Sequence, residues 1–284
     1  MRRVLITGAN SYVGINVEKW LMKEPDKYYV ETLDMKDPNW REFDFSRFDV
    51  VFHVAGIAHV STKKSMKDLY FKVNRDLTIE TAVKAKSSGV KQFIFMSSMI
   101  VYNSKEKCIT SETEVLPDNF YGLSKLQAEE GILPLQSSQF DVCILRPPMI
   151  YGPGSKGNFP KLVNLSKKTP IFPNITNKRS MLFIDNLANS VKLIIDNSLS
   201  GILFPQNNEY SCTRDIVNYF SKMYNKKIWF TKLFNPLFIF LSKLNSTFNK
   251  LFSDSYYSID MSKPFKTSIH ISLEESLKLM VYDE

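Results

Sequence analysis

The chain has 284 residues, of which 44% are hydrophobic and 23% charged, and its formal net charge is +8. These proportions are typical of a globular protein, and the length allows one composite domain or a large domain with a small lobe. No internal repeat or low-complexity tract is present. The three cysteines have neither the spacing of a metal site nor the even number of a disulfide framework. This pattern predicts no metal site and a reducing, cytoplasmic location.

The distribution of apolar and basic residues argues against a membrane-spanning or nucleic-acid-binding protein. No stretch approaches the roughly 20 apolar residues of a membrane span, and the apolar run at the N-terminus is too short for a secretory signal. The lysines are scattered, and no aromatic–basic binding motif accompanies them. We therefore expect no nucleic-acid partner. The positive charge instead suits a protein that handles diphosphates.

The N-terminal segment has the pattern of a dinucleotide-binding unit. Arg3–Thr7 is a short β-branched run suited to a buried parallel strand, and a helical pattern follows through Val17 and Leu21. Between them lies a turn in which Gly8 permits tight bending and Gly14 permits close helix–strand packing. The helix start offers N–H groups to a pyrophosphate. The predicted phosphate-binding residues of this turn are Gly8, Asn10, Ser11, Tyr12, Val13 and Gly14.

A second predicted strand, residues 28–33, ends at Asp34. A carboxylate at this point can accept hydrogen bonds from both ribose hydroxyls and repel a 2′-phosphate, which favours NAD over NADP. Lys36 lies two residues further on and weakens that preference. NAD is therefore the predicted cofactor, and NADP is the alternative.

Tyr121 and Lys125 are four residues apart, so in a helix they lie on the same face. A tyrosine hydroxyl has a pKa of about 10, too high for a base near neutral pH. A neighbouring ammonium favours the phenolate and lowers that pKa. The spacing therefore predicts a proton-transfer pair in which Lys125 lowers the pKa of Tyr121.

Strand-like runs alternate with helical patterns through about residue 150, which predicts an α/β fold with a Rossmann-like, doubly wound parallel sheet. The predicted helices include residues 66–88 and 121–135, and residues 140–145 form a later strand. We assign residues 1–150 to the NAD(P)-binding domain, to which residues 181–200 return. Residues 151–284 form a smaller, mostly substrate-binding C-terminal lobe. In that lobe Asp185 is predicted to cap a helix, and Ser272 and Glu275 form a capping box.

Together these motifs resemble the extended short-chain dehydrogenase/reductase family, of the NAD-dependent epimerase/dehydratase type that acts on nucleotide sugars. The usual glycine of the family fingerprint is replaced here by Ser11. The resemblance implies a catalytic triad of Ser98, Tyr121 and Lys125. It also implies further cofactor contacts at Asp44, Phe45, Val54, Ala55, Gly56, Asn74, Tyr121, Lys125 and Pro148, and substrate contacts at Ser98, Met149, Asn158 and Arg179.

Within this family three chemistries differ at a few positions. Dehydratases carry an Asp-Glu pair after the catalytic hydroxyl residue, but here Met99 and Ile100 follow Ser98, which argues against elimination of water. An NAD-dependent UDP-glucose 4-epimerase-like enzyme is the preferred prediction. A 4-keto-6-deoxy-sugar reductase is the alternative, because galactose epimerases have asparagine where Met149 stands and lysine where this chain offers His59. A non-catalytic dinucleotide sensor is disfavoured because the triad is complete.

The resemblance also implies partners. We expect a nucleotide-diphosphate sugar as substrate, a role in polysaccharide biosynthesis, and a homodimer in which helices 66–88 and 121–135 form a four-helix bundle. Residues 234–252 combine aromatic and aliphatic residues with bordering lysines. That segment fits either a packed helix of the small lobe or a basic amphipathic helix on a membrane surface. The packed helix is preferred, with no stable membrane insertion.

Overall fold

The computed structural model describes residues 1–58, 64–244, 246–266 and 271–280. The strands are β1 (Arg2–Thr7), β2 (Tyr28–Leu33), β3 (Val50–His53), β4 (Gln92–Met96), β5 (Cys108–Ile109), β6 (Asp141–Leu145), β7 (Met149–Tyr151), β8 (Ile171–Pro173), β9 (Met181–Phe183), β10 (Gly201–Leu203), β11 (Trp229–Thr231) and β12 (Tyr256–Tyr257). The α-helices are α1 (Tyr12–Leu21), α2 (Lys67–Tyr70), α3 (Leu77–Ser87), α4 (Phe120–Ile132), α5 (Asn158–Lys168), α6 (Ile184–Asn197), α7 (Thr213–Met223), α8 (Asn235–Leu244), α9 (Ser246–Phe252) and α10 (Leu273–Lys278).

A six-stranded sheet forms the centre of the protein, in the order β10-β6-β4-β3-β1-β2. All neighbouring strands in it are parallel. After β1 the chain adds β2 on one side and β3 on the other, so the connection reverses direction at β1. In sheets of this kind ligands bind outside the carboxyl ends of the strands at such a reversal. The predicted Rossmann-like, doubly wound α/β fold is confirmed.

Helices cover both faces of this sheet, which explains why its strands are mostly apolar. Val4 and Ile6 belong to a buried cluster with Val17 of α1 and Leu187 of α6. Leu5 points to the opposite face and joins a second cluster with Ala82 of α3. The alternation of side chains along a strand sends successive residues into these two cores.

Local sequence signals explain where the helices begin and end. The predicted helix 66–88 is present as α2 and α3, joined by a π-helical segment, Phe71–Asp76. Helix α4 ends in a 3₁₀ turn, Leu133–Leu135, that contains a proline. The prediction that Asp185 caps α6 was wrong, because α6 begins at Ile184 and Asp185 lies in its first turn. The capping box of Ser272 and Glu275 is confirmed.

The remaining strands form short parallel pairs outside the central sheet. The pairs are β7 with β9, β8 with β11, and β5 with β12. Helix α6 packs against α1, and β10 extends the central sheet, so the chain returns to the large domain after β9. The domain division at residue 150 stays a prediction. Across the described ranges, no helix is long and apolar enough to cross a membrane.

Candidate active site

The glycine turn lies at the carboxyl end of β1, where β1 is flanked by β2 and β3. Gly8 has a φ of 111°, and its N–H donates to the carbonyl of Leu33 at 2.8 Å. A Cβ on Gly8 would lie 2.7 Å from the backbone nitrogen of Ala55. Both the backbone angle and this close approach require glycine. The turn therefore packs closely against the carboxyl ends of β2 and β3.

Ser11 occupies the place of the usual glycine and acts as the N-cap of α1. Its Oγ accepts a hydrogen bond from the N–H of Gly14 at 3.1 Å. A Cβ on Gly14 would meet this Oγ at 2.7 Å, so the two residues depend on each other. Asn10 has a positive φ of 64°. The first turn of α1, which includes Tyr12 and Val13, thus starts directly after the tight turn.

A helix N-terminus behind a glycine turn is suited to a diphosphate, because its backbone dipoles favour negative charge. Gly8 packs against Ala55 as closely as only glycine can, directly before the start of α1. The turn at this reversal of the sheet therefore fits the pyrophosphate of NAD. In the described part of the chain, no group of three or more His, Cys, Asp or Glu side chains could hold a metal ion.

The predicted adenosine-side residues differ in accessibility. Asp34 is exposed directly after β2, and its carboxylate accepts from the N–H of Lys36 at 3.0 Å. Asp44 is exposed and accepts from the N–H and Oγ of Ser46, and these hydrogen bonds lower its pKa. The side chain of Phe45 is completely buried in the core. Any contact of Phe45 with an adenine would therefore use its backbone.

A buried polar chain supports the floor of the site. Thr7 Oγ1 and His53 Nδ1 are 2.7 Å apart, and His53 Nε2 lies 3.0 Å from Thr78 Oγ1. Thr78 in turn donates to the carbonyl of Asn74 at 2.9 Å. Burial, assisted by the charge of Lys125, lowers the pKa of His53 to about 3. His53 is therefore neutral and joins β1 to the π-helical segment.

Asn74, within that π-helical segment, holds the loop after β3. Its Oδ1 accepts from the N–H of Ile57 at 2.7 Å, and its Nδ2 donates to the carbonyl of Ile57 at 3.1 Å and to Ser124 Oγ at 3.2 Å. A Cβ on Gly56 would lie 3.0 Å from Asn74 Oδ1 and 3.3 Å from Lys125 Nζ. π-Helical turns often occur at functional sites. Asn74 thus links the Val54–Gly56 turn to the helix that carries Tyr121 and Lys125.

The start of α4 brings Tyr121 against Ser98. The side chain of Asn119 caps α4 by accepting from the N–H of Gly122 at 2.9 Å. A Cβ on Gly122 would lie only 2.3 Å from the carbonyl oxygen of Ile100, so glycine allows α4 to approach the end of β4. Ser98 Oγ accepts from the N–H of Ile100 at 3.3 Å, and the Ser98 side chain lies close enough to Tyr121 to lower the pKa of its hydroxyl. The structure therefore places these two hydroxyls together.

The acid–base properties of the pair differ from the prediction. Burial and the neighbouring Tyr70 raise the pKa of Tyr121 to about 12, although the hydrogen bond with Ser98 opposes this. The predicted lowering of the Tyr121 pKa was wrong for this state of the protein, because burial dominates. Burial also lowers the pKa of Lys125 to about 8. Its Nζ donates to the carbonyl of Met96 at 2.9 Å.

A buried ion pair lies one helical turn beyond Lys125. Arg146 contacts Glu129 through Nη2 at 2.5 Å and through Nε at 3.1 Å, and both side chains are buried. Arg146 Nη1 also donates to Tyr102 at 2.9 Å, and Ser97 Oγ donates to Glu129. The pair therefore joins α4 to the carboxyl ends of β4 and β6. Ser98 lies just after β4 in the chain, and Pro148 lies just after β6.

The predicted substrate residues surround the same end of the sheet at different depths. Pro148 is buried, and Met149 is partly buried in β7, opposite Met181 of β9. Asn158 is the exposed first residue of α5. Arg179 is half-buried, and its Nη1 donates to the carbonyl of Ser253 at 3.2 Å. Burial lowers the Arg179 pKa to about 10. His59 lies outside the described residues.

Several supporting residues were not predicted. Gly122 and Asn119 determine how closely α4 approaches Ser98, and the turn signal before the helix could have identified them. Glu129 could have been found from its spacing, since it lies four residues after Lys125 on the same helical face. The partnership of Glu129 with Arg146, and the chain through His53, had no local signal.

Comparison with known proteins identifies the family. The model of the NAD-dependent epimerase/dehydratase family matches residues 4–204. The chain belongs to this family. It is 32% identical over 271 residues to a UDP-glucose 4-epimerase of Vibrio cholerae, a match that covers 84% of this chain and 82% of the relative.

Two further comparisons show the range of the family. A UDP-2-acetamido-2,6-beta-L-arabino-hexul-4-ose reductase of Pseudomonas aeruginosa is 28% identical over 70% of this chain, which spans about half (51%) of that relative. The fold is similar to that of a UDP-glucuronic acid 4-epimerase from Bacillus cereus in complex with NAD. That match has a TM-score of 0.76 and 20% identity, and covers 98% of this chain and 95% of the other. The predictions of family, of an enzyme and of NAD as cofactor are confirmed.

Proposed function

We propose that this chain is an NAD-dependent nucleotide-sugar 4-epimerase that interconverts UDP-sugars of the UDP-glucose/UDP-galactose type. The observation that carries the proposal is the contact between Ser98 and Tyr121, with Lys125 one helical turn away, beside the glycine turn. The relative from Vibrio cholerae, at 32% identity over most of both chains, supports the choice of reaction.

Tyr121 is the proposed proton-transfer residue for the C4 hydroxyl of the sugar. NAD, when bound, accepts a hydride from the sugar carbon and returns it. Ser98 hydrogen-bonds the reacting oxygen, which orients it and stabilises developing charge. Lys125, one helical turn after Tyr121, can donate to a ribose hydroxyl of the nucleotide.

The raised pKa of Tyr121, about 12, favours proton donation by its phenol over proton acceptance. At neutral pH the phenol is protonated, so it is ready to donate to the C4 oxygen when the ketone is reduced. In the oxidative direction Tyr121 must first lose its proton. Positive charge close to the phenol would assist that loss.

The small lobe would hold the UDP part of the substrate. Arg179 presents a planar fork of donors suited to a diphosphate, and its single described side-chain bond, to the carbonyl of Ser253, uses one of them. Residues 152–158, which end at Asn158, would complete this part of the site. Binding energy from the nucleotide then positions the sugar ring at the triad.

A nucleotide-4-keto-6-deoxy-sugar reductase is the second candidate. Met149 favours it, because an asparagine occupies this place in galactose epimerases, and the Pseudomonas aeruginosa relative carries a reductase name. A dehydratase lacks support, because Met99, which follows Ser98, has no acid or base group. A non-catalytic sensor is disfavoured because Ser98, Tyr121 and Lys125 are all present.

Purified protein separates these candidates. Interconversion of UDP-glucose and UDP-galactose without added cofactor, followed by NMR, supports the epimerase. Stoichiometric consumption of NADH or NADPH with a nucleotide 4-keto sugar, and no interconversion, would replace it with the reductase. Tyr121→Phe should lower kcat by a factor of about 10² to 10⁴ while NAD binding is kept. Tyr224→Phe, which removes a hydroxyl from the end of α7, serves as the control and should retain activity.

We further propose a homodimer that works in the cytoplasm on a precursor for polysaccharide biosynthesis. Leu69, Val83 and Leu123 are exposed on α2, α3 and α4, the helices predicted to pair across a two-fold axis. A surface cleft beside Leu123 is lined mostly by charged and polar side chains, together with Phe71 and Leu123. The exposed apolar side chains Leu69, Val83 and Leu123 support a contact between two copies.

A further inference from the structure

Helix α8 carries three exposed apolar side chains on one face, and Ile239, which is 47% exposed, lies away from that face. Leu237, Phe240 and Leu244 are 53%, 58% and 69% exposed, and Leu233, just before the helix, is 74% exposed. Leu237, Phe240 and Leu244 are three and four residues apart and lie above one another on the helix, and Leu233 precedes its first turn. We call Leu233, Leu237, Phe240 and Leu244 the apolar stripe. Scattered exposed leucines are ordinary, but a contiguous apolar face marks an interaction surface.

The stripe is exposed although the helix itself is firmly packed. On the opposite side of α8, the ring of Phe238 lies 5.2 Å from that of Phe252 and 5.8 Å from that of Phe248, both on α9. Phe252 continues this contact into the core, with its ring 5.8 Å from that of Phe172. One side of the α8–α9 pair is thus anchored in the small lobe, while the stripe faces outward.

The charge of the chain segment that carries the stripe has a single sign. Residues 216–253 contain six lysines and no aspartate, glutamate or arginine, so these 38 residues carry six positive charges and no negative ones. Lys226, Lys227 and Lys232 are exposed just before α8. Trp229, between them, is 66% exposed. An exposed tryptophan with lysines and leucines is typical of a surface that lies in the interface of a bilayer.

We propose that this face docks peripherally on a bilayer that contains anionic phospholipids. The apolar stripe would enter the boundary between headgroups and acyl chains, and Lys226, Lys227 and Lys232 would contact the phosphates. Lysine is depleted at the core of protein–protein interfaces, which disfavours a protein partner. The inference goes beyond the proposed function and does not depend on it.

The docking face is connected to the proposed substrate site through the segment that follows α9. Asn249 of α9 donates to the carbonyl of Ser104, six residues after Ser98, at 3.2 Å. The segment after α9 then supplies the carbonyl of Ser253 to Arg179, and Asp254 accepts from the N–H of Lys178 at 2.8 Å. A few residues therefore connect the docking face to the arginine proposed to hold the diphosphate.

Vesicle flotation with the full-length protein tests the proposal. The wild type should bind vesicles of phosphatidylcholine with added phosphatidylglycerol at least about tenfold more tightly than vesicles of phosphatidylcholine alone, at about 0.1 M salt. The double variant Leu237→Gln/Phe240→Gln should lose at least about tenfold in binding. The triple variant Lys226→Gln/Lys227→Gln/Lys232→Gln should lose the preference for the anionic lipid. Leu116→Gln/Leu279→Gln, which changes two leucines exposed elsewhere, should bind as the wild type does.

Three results would overturn the proposal. The first is wild-type protein that floats with neither kind of vesicle, and the second is a double variant that binds as well as the wild type. The third is sedimentation in which Leu237→Gln/Phe240→Gln converts a dimer to a monomer, which would assign the stripe to a second copy of this chain. All these side chains are exposed, so the variants should fold, and their circular dichroism and catalytic activity are measured separately.

Discussion

Lys125 is a charged residue whose position costs stability. Its side chain is 5% exposed, and burial lowers its pKa from the ordinary 10.5 to about 8. The protonated form is therefore disfavoured in the folded protein, although the carbonyl of Met96 accepts one of its hydrogen bonds. A residue that the fold alone would not select is expected where catalysis needs it.

The first prediction concerns Lys125→Met and pH. Below about pH 8 the folded wild type carries the disfavoured ammonium. Between about pH 8 and 10.5 the unfolded chain still binds this proton while the folded chain has lost it, so stability rises with pH. The free energy of unfolding of the wild type should rise relative to Lys125→Met by up to about 1.4 kcal/mol per pH unit in this window. Urea denaturation at several pH values measures the difference, and parallel curves for the two proteins would contradict it.

The glycine turn between β1 and α1 acts as one element, because its shape depends on contacts with β2 and β3. Gly8 has a positive φ, and a Cβ added to it would clash with the backbone of Ala55. Gly89 also has a positive φ, of 78°, but an added Cβ there would have no neighbour within 4 Å. A side chain at Gly8 would therefore meet both backbone strain and a steric clash, whereas a side chain at Gly89 would meet backbone strain alone.

The second prediction is that Gly8→Ala lowers the affinity for NAD by about tenfold or more, because Ala55 and the turn must move apart. Gly89→Ala should lower stability by about 1 kcal/mol through strain alone and leave the affinity unchanged. Isothermal titration calorimetry with NAD compares the two variants. Equal affinities in both variants would show that the turn does not bind the cofactor.

The third prediction concerns the buried pair of Glu129 and Arg146, which ties α4 to β4 and β6. Glu129→Gln leaves the guanidinium of Arg146 buried without its full counter-charge and should cost about 3 kcal/mol of folding stability. Replacing both, as Glu129→Leu/Arg146→Met, should recover part of this loss. Glu80→Gln, which removes the exposed partner of Arg41, is the control and should change stability little. A double variant less stable than Glu129→Gln would refute the coupling.

At the scale of the whole molecule, two separate surfaces each carry several exposed apolar side chains. Leu69, Val83 and Leu123 lie on the helices proposed to form the dimer, and the apolar stripe lies on α8. The fourth prediction is that sedimentation equilibrium gives twice the chain mass of 32.8 kDa, and that Leu123→Asp gives a monomer. Leu116→Asp, an exposed leucine elsewhere, should remain dimeric. A monomeric wild type at micromolar concentration would reject the proposed dimer.

Local patterns in the sequence predicted the parts of this protein that depend on neighbouring residues. The β-branched run before Gly8, the helix after it and the spacing of Tyr121 and Lys125 all follow from backbone sterics and helical periodicity. The order of such elements was enough to predict a parallel sheet and the position of the glycine turn, and the resemblance of the motifs indicated the family. The capping box of Ser272 and Glu275 was readable for the same reason.

The tertiary structure alone decided the electrostatics of the site. Burial raises the pKa of Tyr121, whereas the sequence pattern predicted that Lys125 would lower it. The contact of His53 with Thr7, 46 residues away, had no local signature. The exposure of the apolar stripe was also not predictable from the sequence, because it depends on how α8 packs against α9. Desolvation and burial depend on which distant segments meet, and that is a property of the assembled fold rather than of any stretch of sequence.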